Sequence, residues 1–229
     1  MNQQKFRLWD LPTRLFHWAL VLAVVAAIVS GQLGGNLIDW HGRIGLFIVG
    51  LLAFRLAWGV VGSTYARFLQ FLPTPGKIAS YLRGEWQGEG HSPLGALSVF
   101  GLLALLTAQV GSGLFANDDI TFVGPLFDLV DKNLSNRLTG IHYLVANAIY
   151  VLIALHIAAI AFYARVRRRN LVKPMLTGWM DGKGDSATGG GVPALILALV
   201  VAGAAGYGAS GAWLPAPPLP PPAAETPSW

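Results

Sequence analysis

Between Leu138 and Ala164 the chain runs without a single Asp, Glu, Lys or Arg, and two histidines, His142 and His156, stand inside that run. Nothing in a bilayer interior can satisfy a lone backbone N–H or C=O, so a run of this length has to be a helix that crosses it. At about 100° and 1.5 Å per residue, the two histidines lie roughly 40° short of four full turns and about 21 Å apart. They share one helix face at two depths that span most of a hydrocarbon core about 30 Å thick.

Four other runs reach membrane-crossing length: Leu15–Leu33, Ile44–Gly62, Leu94–Ala116 and Val192–Trp213. The only Asp, Glu, Lys or Arg in any of the five runs is Arg55. The chain is 54% hydrophobic and 12% charged, against about 25% charged for a soluble domain. It is therefore read as a polytopic, all-α membrane protein. The first run is too long for the roughly 7–15-residue apolar region of a signal peptide and leads straight into a second membrane segment, so it is read as a retained helix.

Loop charge orients the bundle. Twelve bases lie on one side: Lys5, Arg7 and Arg14 before the first run, Arg67, Lys77 and Arg83 between the second and third, and Arg165, Arg167, Arg168, Arg169, Lys173 and Lys183 after the fourth. The other side holds three, Arg43, Lys132 and Arg137, with six acids, Asp39, Asp118, Asp119, Asp128, Asp131 and Glu225. The positive-inside rule puts the N-terminus in the cytoplasm and, after five crossings, the C-terminus outside. The net charge of +5 then serves contact with anionic lipid; no nucleic-acid motif, phosphate loop or Ser/His/Asp arrangement accompanies it. Thr74-Pro75 reads as the cap of a short interfacial helix over Gly76–Arg83, and Ser135-Asn136 as a cap before the fourth crossing. Residues 181–191 read as a flexible joint, and 214–229 as an extended, proline-rich tail.

With this topology the histidine depths pair. His17 falls near the inner surface and His41 near the outer; the fourth helix brings His142 to the outer level and His156 to the inner. His17 with His156, and His41 with His142, can each supply two axial nitrogens to a haem iron. Cysteine is absent, so covalent c-type attachment is ruled out and both haems are b-type. A bis-histidine iron has no open position and passes electrons without activating O₂. Arg55, 14 positions after His41, is placed to pair with a propionate of the inner haem. Arg43 and Arg137 can do the same for the outer haem, though interfacial anchoring explains them equally well. His91, in Gly90-His91-Ser92-Pro93, reads as a solvated or capping loop residue.

The string Trp9-Asp10-Leu11-Pro12-Thr13-Arg14-Leu15-Phe16-His17-Trp18 resembles the start of bacterial cytochrome b561 proteins, relatives of hydrogenase b-type cytochrome subunits. Trp40-His41-Gly42-Arg43-Ile44-Gly45, Phe54-Arg55-Leu56-Ala57-Trp58-Gly59, His91-Ser92-Pro93-Leu94-Gly95-Ala96, Leu138-Thr139-Gly140-Ile141-His142, Leu155-His156 and Asn170-Leu171-Val172-Lys173-Pro174-Met175 extend it over roughly residues 5–180. The resemblance implies a four-helix transmembrane bundle in a bacterial inner membrane, with two b haems on His17, His41, His142 and His156 and exchange of electrons with the membrane quinone pool. The expected division is a di-haem domain over 1–180, a linker over 181–191, an extra transmembrane helix over 192–213 and an outer, periplasmic tail over 214–229. The extra helix departs from the four-helix pattern. Its small residues, Ala202, Gly206 and Ser210 beside Ala204, Gly208 and Ala212, suit docking to a periplasmic or membrane-bound partner. The leading functional expectation is electron transfer between quinone or quinol and a periplasmic redox partner such as a basic c-type cytochrome. The alternatives are the membrane anchor subunit of a larger enzyme and a superoxide:quinone oxidoreductase.

Overall fold

The computed structural model describes residues 5–120 and 122–215, so nearly all of the proline-rich tail lies outside the described residues. Seven α-helices and a two-stranded ribbon follow the order β1 (Lys5–Arg7), α1 (Leu11–Leu33), α2 (Ile38–Val61), α3 (Pro75–Leu82), α4 (Pro93–Gly113), α5 (Lys132–Arg165), α6 (Val172–Thr177), β2 (Trp179–Asp181) and α7 (Val192–Ala209). Five of the helices, α1, α2, α4, α5 and α7, are long and apolar enough to cross a membrane. The protein is a multi-pass helical membrane protein. One end of the bundle carries the ribbon, α3, α6 and most of the Lys and Arg; it is called the basic end here, and the opposite end the acidic end.

Four helix starts carry a side-chain cap, those of α1, α3, α4 and α5. Asp10 caps α1 by accepting from the Thr13 N–H at 2.6 Å, with Pro12 in the first turn. Thr74 caps α3 ahead of Pro75, as expected, and Ser92 caps α4. The fourth crossing begins earlier than expected: Asp131 is its cap, accepting from the Leu134 N–H at 3.0 Å. Ser135 is instead fully buried in the first turn, donating to the Phe115 carbonyl and accepting from Asn117 Nδ2. A carboxylate is a stronger acceptor for orphan helix N–H groups than a hydroxyl, and carries a charge that favours the N-terminus. The result is a helix of 34 residues, about 51 Å long, which outreaches the hydrocarbon core and must project beyond it or tilt.

α2 is the central element, packed against α1, α4 and α7, while α5 packs chiefly along α4. α5 stands off from α1 and α2, and a slot runs between them. Ile48, Leu52, Phe54, Trp58, Leu103, Leu106 and Ile149 form the core, joined by Ala198 of α7, which is fully buried. Small residues let α7 lie close to α2: a Cβ on Gly50 would meet the Ala202 carbonyl at 3.6 Å.

The basic end is more ordered than the sequence suggested. β1 and β2 pair antiparallel, Phe6 opposite Met180, and Phe6, Leu8 and Trp9 bury a small cluster with Tyr65, Met175 and Met180 packed on it. The segment 181–191, expected to be a flexible joint, is tied down. The Ala187 N–H donates to the Arg7 carbonyl at 2.7 Å, Thr64 N–H to the Thr188 carbonyl at 2.9 Å, and Tyr65 Oη to the Asp185 carbonyl at 2.7 Å.

His91 is not a solvated loop residue. Its ring packs between Trp9 and Phe71, with centroids 4.7 and 4.2 Å away, and its Nδ1 is buried without a partner. Burial, reinforced by the Arg55 cation, pushes its pKa from 6.5 down to about 3. The unfolded chain therefore takes up a proton that the fold refuses, and stability drains away as pH falls from 6.5 towards about 3. His91→Phe keeps the ring packing and removes the titration. Between about pH 7 and about pH 4.5, its thermal midpoint in detergent should fall less than that of the parent; an equal fall would detach acid sensitivity from this ring.

Candidate haem site

The structure arranges the functional side chains on stripes of seven-residue spacing, close to two turns of helix. His142, Ile149 and His156 share a stripe on α5, and His41, Ile48 and Arg55 share one on α2. Ile48 and Ile149 are each 4% exposed and separate the two histidine levels. At the acidic end His41 and His142 face one another, ring centroids 6.0 Å apart and planes at 81°. Two imidazoles on one first-row metal, each with a metal–N bond of about 2 Å, have ring centres roughly 6 Å apart. His17, in the first third of α1, and His156, in the last third of α5, both lie towards the basic end. His156 Nδ1 lies 3.5 Å from Ser98 Oγ on α4, and His17 Nδ1 is buried without a partner.

Backbone carbonyls orient the acidic-end pair. His41 Nδ1 sits 2.8 Å from the Ala27 carbonyl, and His142 Nδ1 sits 2.9 Å from the Gln109 carbonyl. A carbonyl can only accept, so both Nδ1 atoms carry the proton and both Nε2 atoms present lone pairs. Gln109 Nε2 lies 3.0 Å from His142 Nε2, an amide donor on that lone pair. Glycines make this possible, and nothing in the sequence reading had singled them out. A Cβ on Gly31 would lie 2.9 Å from His41 Nδ1, and one on Gly113 would lie 2.9 Å from His142 Cε1. Each ring thus lies over a glycine and donates to the carbonyl four residues before it, on α1 and on α4 alike. The only sequence signal was glycine inside apolar helices, Ser30-Gly31 and Gly111-Ser112-Gly113.

This device yields a prediction. Gly113→Ala should push the His142 ring off its seat and weaken haem loading at the acidic-end level, read as a fall in haem per chain by pyridine haemochrome assay. Gly111→Ala, whose Cβ would meet nothing within 4 Å, should load as the parent does. Equal loading in both variants would remove Gly113 from the site.

The surroundings fit a porphyrin. A cavity of about 250 Å³ opens beside the acidic-end pair, lined by apolar side chains, by Gly31, Gly42, Gly45 and Gly113, and by Gln109, whose Oε1 is buried without a partner. Among the described residues, no three His, Cys, Asp or Glu side chains cluster as a metal site. Two facing imidazoles are what a metal would take from the protein if a macrocycle filled its other positions.

The three arginines sit differently. Arg55 is 3% exposed; its Nη1 donates to the Ala66 carbonyl at 2.9 Å and its guanidinium lies 4.7 Å from the Phe68 ring centre. Sequence reasoning missed a buried network centred on Asp10. Asp10, besides capping α1, accepts from Trp58 Nε1 at 3.0 Å and from Ser63 Oγ, tying the start of α1 to the end of α2. The Trp-Asp-Leu-Pro string carried that signal, since one carboxylate serves both cap and tie. Arg43 lies 5.3 Å from the Trp40 ring centre, and Arg137 is exposed near the start of α5.

Membrane-crossing helices holding an opposed histidine pair beside an apolar slot define a class, the helical membrane protein built to hold haem. The chain belongs to the prokaryotic cytochrome b561 family, whose profile matches residues 8–178. It is similar to the probable Ni/Fe-hydrogenase B-type cytochrome subunit of Azotobacter chroococcum mcd 1, 27% identical over 225 aligned residues that cover 80% of this chain and 92% of that protein. The like-named subunit of Azotobacter vinelandii is 26% identical with the same coverage. No solved structure matches. Family membership makes the protein a b-type cytochrome of membrane electron transfer, with haem b as its cofactor.

Proposed function

We propose that the protein holds two b haems, one on His41 and His142 and the other on His17 and His156, and conducts electrons between the membrane quinone pool and a redox partner at the acidic end. The observation that carries this reading is the acidic-end pair, with rings 6.0 Å apart and both Nδ1 atoms donating to carbonyls, which leaves Nε2 the unprotonated nitrogen of each ring. Haem supplies reversible one-electron chemistry. The chain's own residues do the rest: α5 presents one ligand to each level, α1 and α2 present the other, and Ile48 and Ile149 keep the levels apart while excluding water. Arg55 is read as a partner for inner-haem propionates, and Arg43 and Arg137 for outer ones. Loop charge supports a bacterial inner-membrane placement, N-terminus cytoplasmic and acidic end periplasmic. Asp39, Asp128 and their neighbours then suit a basic soluble partner such as a c-type cytochrome. We also propose that residues 1–180 carry all the haem ligands of the di-haem domain, that 181–191 link it to the added helix packed on α2, and that 214–229 form a periplasmic tail.

The names of the two relatives favour a second form of the same role, in which the chain is the membrane subunit of a larger oxidoreductase. The di-haem reading is tested on purified full-length protein by pyridine haemochrome assay and by a reduced-minus-oxidised spectrum. Two low-spin b haems per chain are expected; a ratio near one, or a high-spin spectrum, overturns it. Reduction by a quinol analogue, and what co-purifies from native membranes, separate the free conduit from the subunit.

A further inference from the structure

The two histidine pairs differ in what holds their Nδ1–H groups, and that difference has an electronic consequence. At the acidic end both protons go to backbone carbonyls, at 2.8 and 2.9 Å, and Ser112 Oγ stands 3.4 Å from His142 Nδ1 as well. At the basic end His156 has only the Ser98 hydroxyl at 3.5 Å, the far limit of a hydrogen bond, and His17 has no acceptor. A strong acceptor at Nδ1–H pushes electron density into the imidazole and makes Nε2 the better donor to a metal. A richer donor favours the ferric over the ferrous state, so it lowers the reduction potential; hydrogen bonding outside the axial ligands is one of the protein's established levers on haem. Charge acts in the same sense. The buried Arg55 cation and most bases lie towards the basic end, while Asp39, Asp118, Asp119, Asp128 and Asp131 lie at the other.

We propose that the Ala27 and Gln109 carbonyls, set against the weakly held His156 and unheld His17, order the two haem potentials, so that the His41/His142 level is the low-potential one. Ser98 is the positioning residue through which the basic-end level is tuned. An electron entering the chain then comes to rest at the basic end, and the donor belongs at the acidic end. This rests on the bis-histidine reading above, and its failure is distinguishable from the failure of that reading.

The test is a potentiometric titration of purified full-length protein, followed in the haem α-band. Two components are expected, separated by at least a tenfold difference in reduction equilibrium, about 59 mV for one electron. His156→Ala should delete the higher component and His41→Ala the lower. Ser98→Asn places a carbonyl acceptor near His156 and should lower the higher component while haem per chain stays at two. Ser98→Ala should move that component upward, and Ser112→Ala should leave the lower one in place because the Gln109 carbonyl still holds His142. Loss of the lower component in His156→Ala, or no shift in either Ser98 variant at full haem loading, overturns the proposal while leaving bis-histidine ligation intact. A parent chain with fewer than two haems overturns the ligation reading itself, and this one with it.

Discussion

His41→Ala and His142→Ala should each remove one and the same haem, and His17→Ala and His156→Ala should each remove the other. Haem per chain should fall from about two to about one in every single variant, and combining two substitutions within one pair should cost no more haem than either alone. The rings of His41 and His142 are 6.0 Å apart across the slot, too close to serve different irons, and the other two lie on α1 and α5 towards the opposite end of the same bundle. An iron left with one axial nitrogen keeps only half of its protein bonds, so the loss is expected to approach a full equivalent, and any haem that stays should turn high-spin. The measurement is pyridine haemochrome content together with the α-band of the haem that survives. If His17→Ala and His142→Ala erased the same component, the pairing would be wrong.

Truncation after Asp181 is expected to damage the cytochrome unit itself. Ala198 of α7 is fully buried and belongs to the same core as Ile48, Leu52 and Trp58 of α2. A Cβ on Gly190 would strike Trp58 and the backbone at Gly62 and Ser63 within 3.0 Å, so the chain entering α7 is pressed against the end of α2. α2 also carries His41. Removing α7 strips the cover from one side of that helix, and in lipid close packing is what holds helices together. The truncated chain should therefore bind less haem and lose what it binds at a lower temperature than the full chain. Haem content and thermal midpoint after matched purification decide this, and full haem loading at the parent midpoint would show α7 to be dispensable. The other face of α7 is open: Gly203, Gly206 and Gly208 have no neighbour within 4 Å of a Cβ position.

That His41 and His142 share a level was legible in the sequence. The depths of His17, His41, His142 and His156 follow from helix rise and chain direction, because in a membrane each apolar run must close its own hydrogen bonds and so must be a helix. The Thr74-Pro75 cap was legible for the same local reason. The start of α5 was misplaced by four residues because two competent caps, Asp131 and Ser135, stand near each other, and only the surroundings of Phe115 and Asn117 decide which is buried. His91 was misjudged because a loop histidine between glycine and serine gives no sign that Trp9 and Phe71, 82 and 20 positions away, will close over it.

The sequence by itself determined the solvent, the number of crossings, the levels of the four histidines and the family, since all of these depend on local period, run length and short motifs. Only the tertiary structure decided that Gly31 and Gly113 seat the His41 and His142 rings, that Ala27 and Gln109 fix their tautomer, that Asp10 ties α1 to α2, and that α7 is packed into the core. Those contacts join positions far apart in the chain, and a hydrogen bond or a close approach is set by where helices cross, which no local pattern contains.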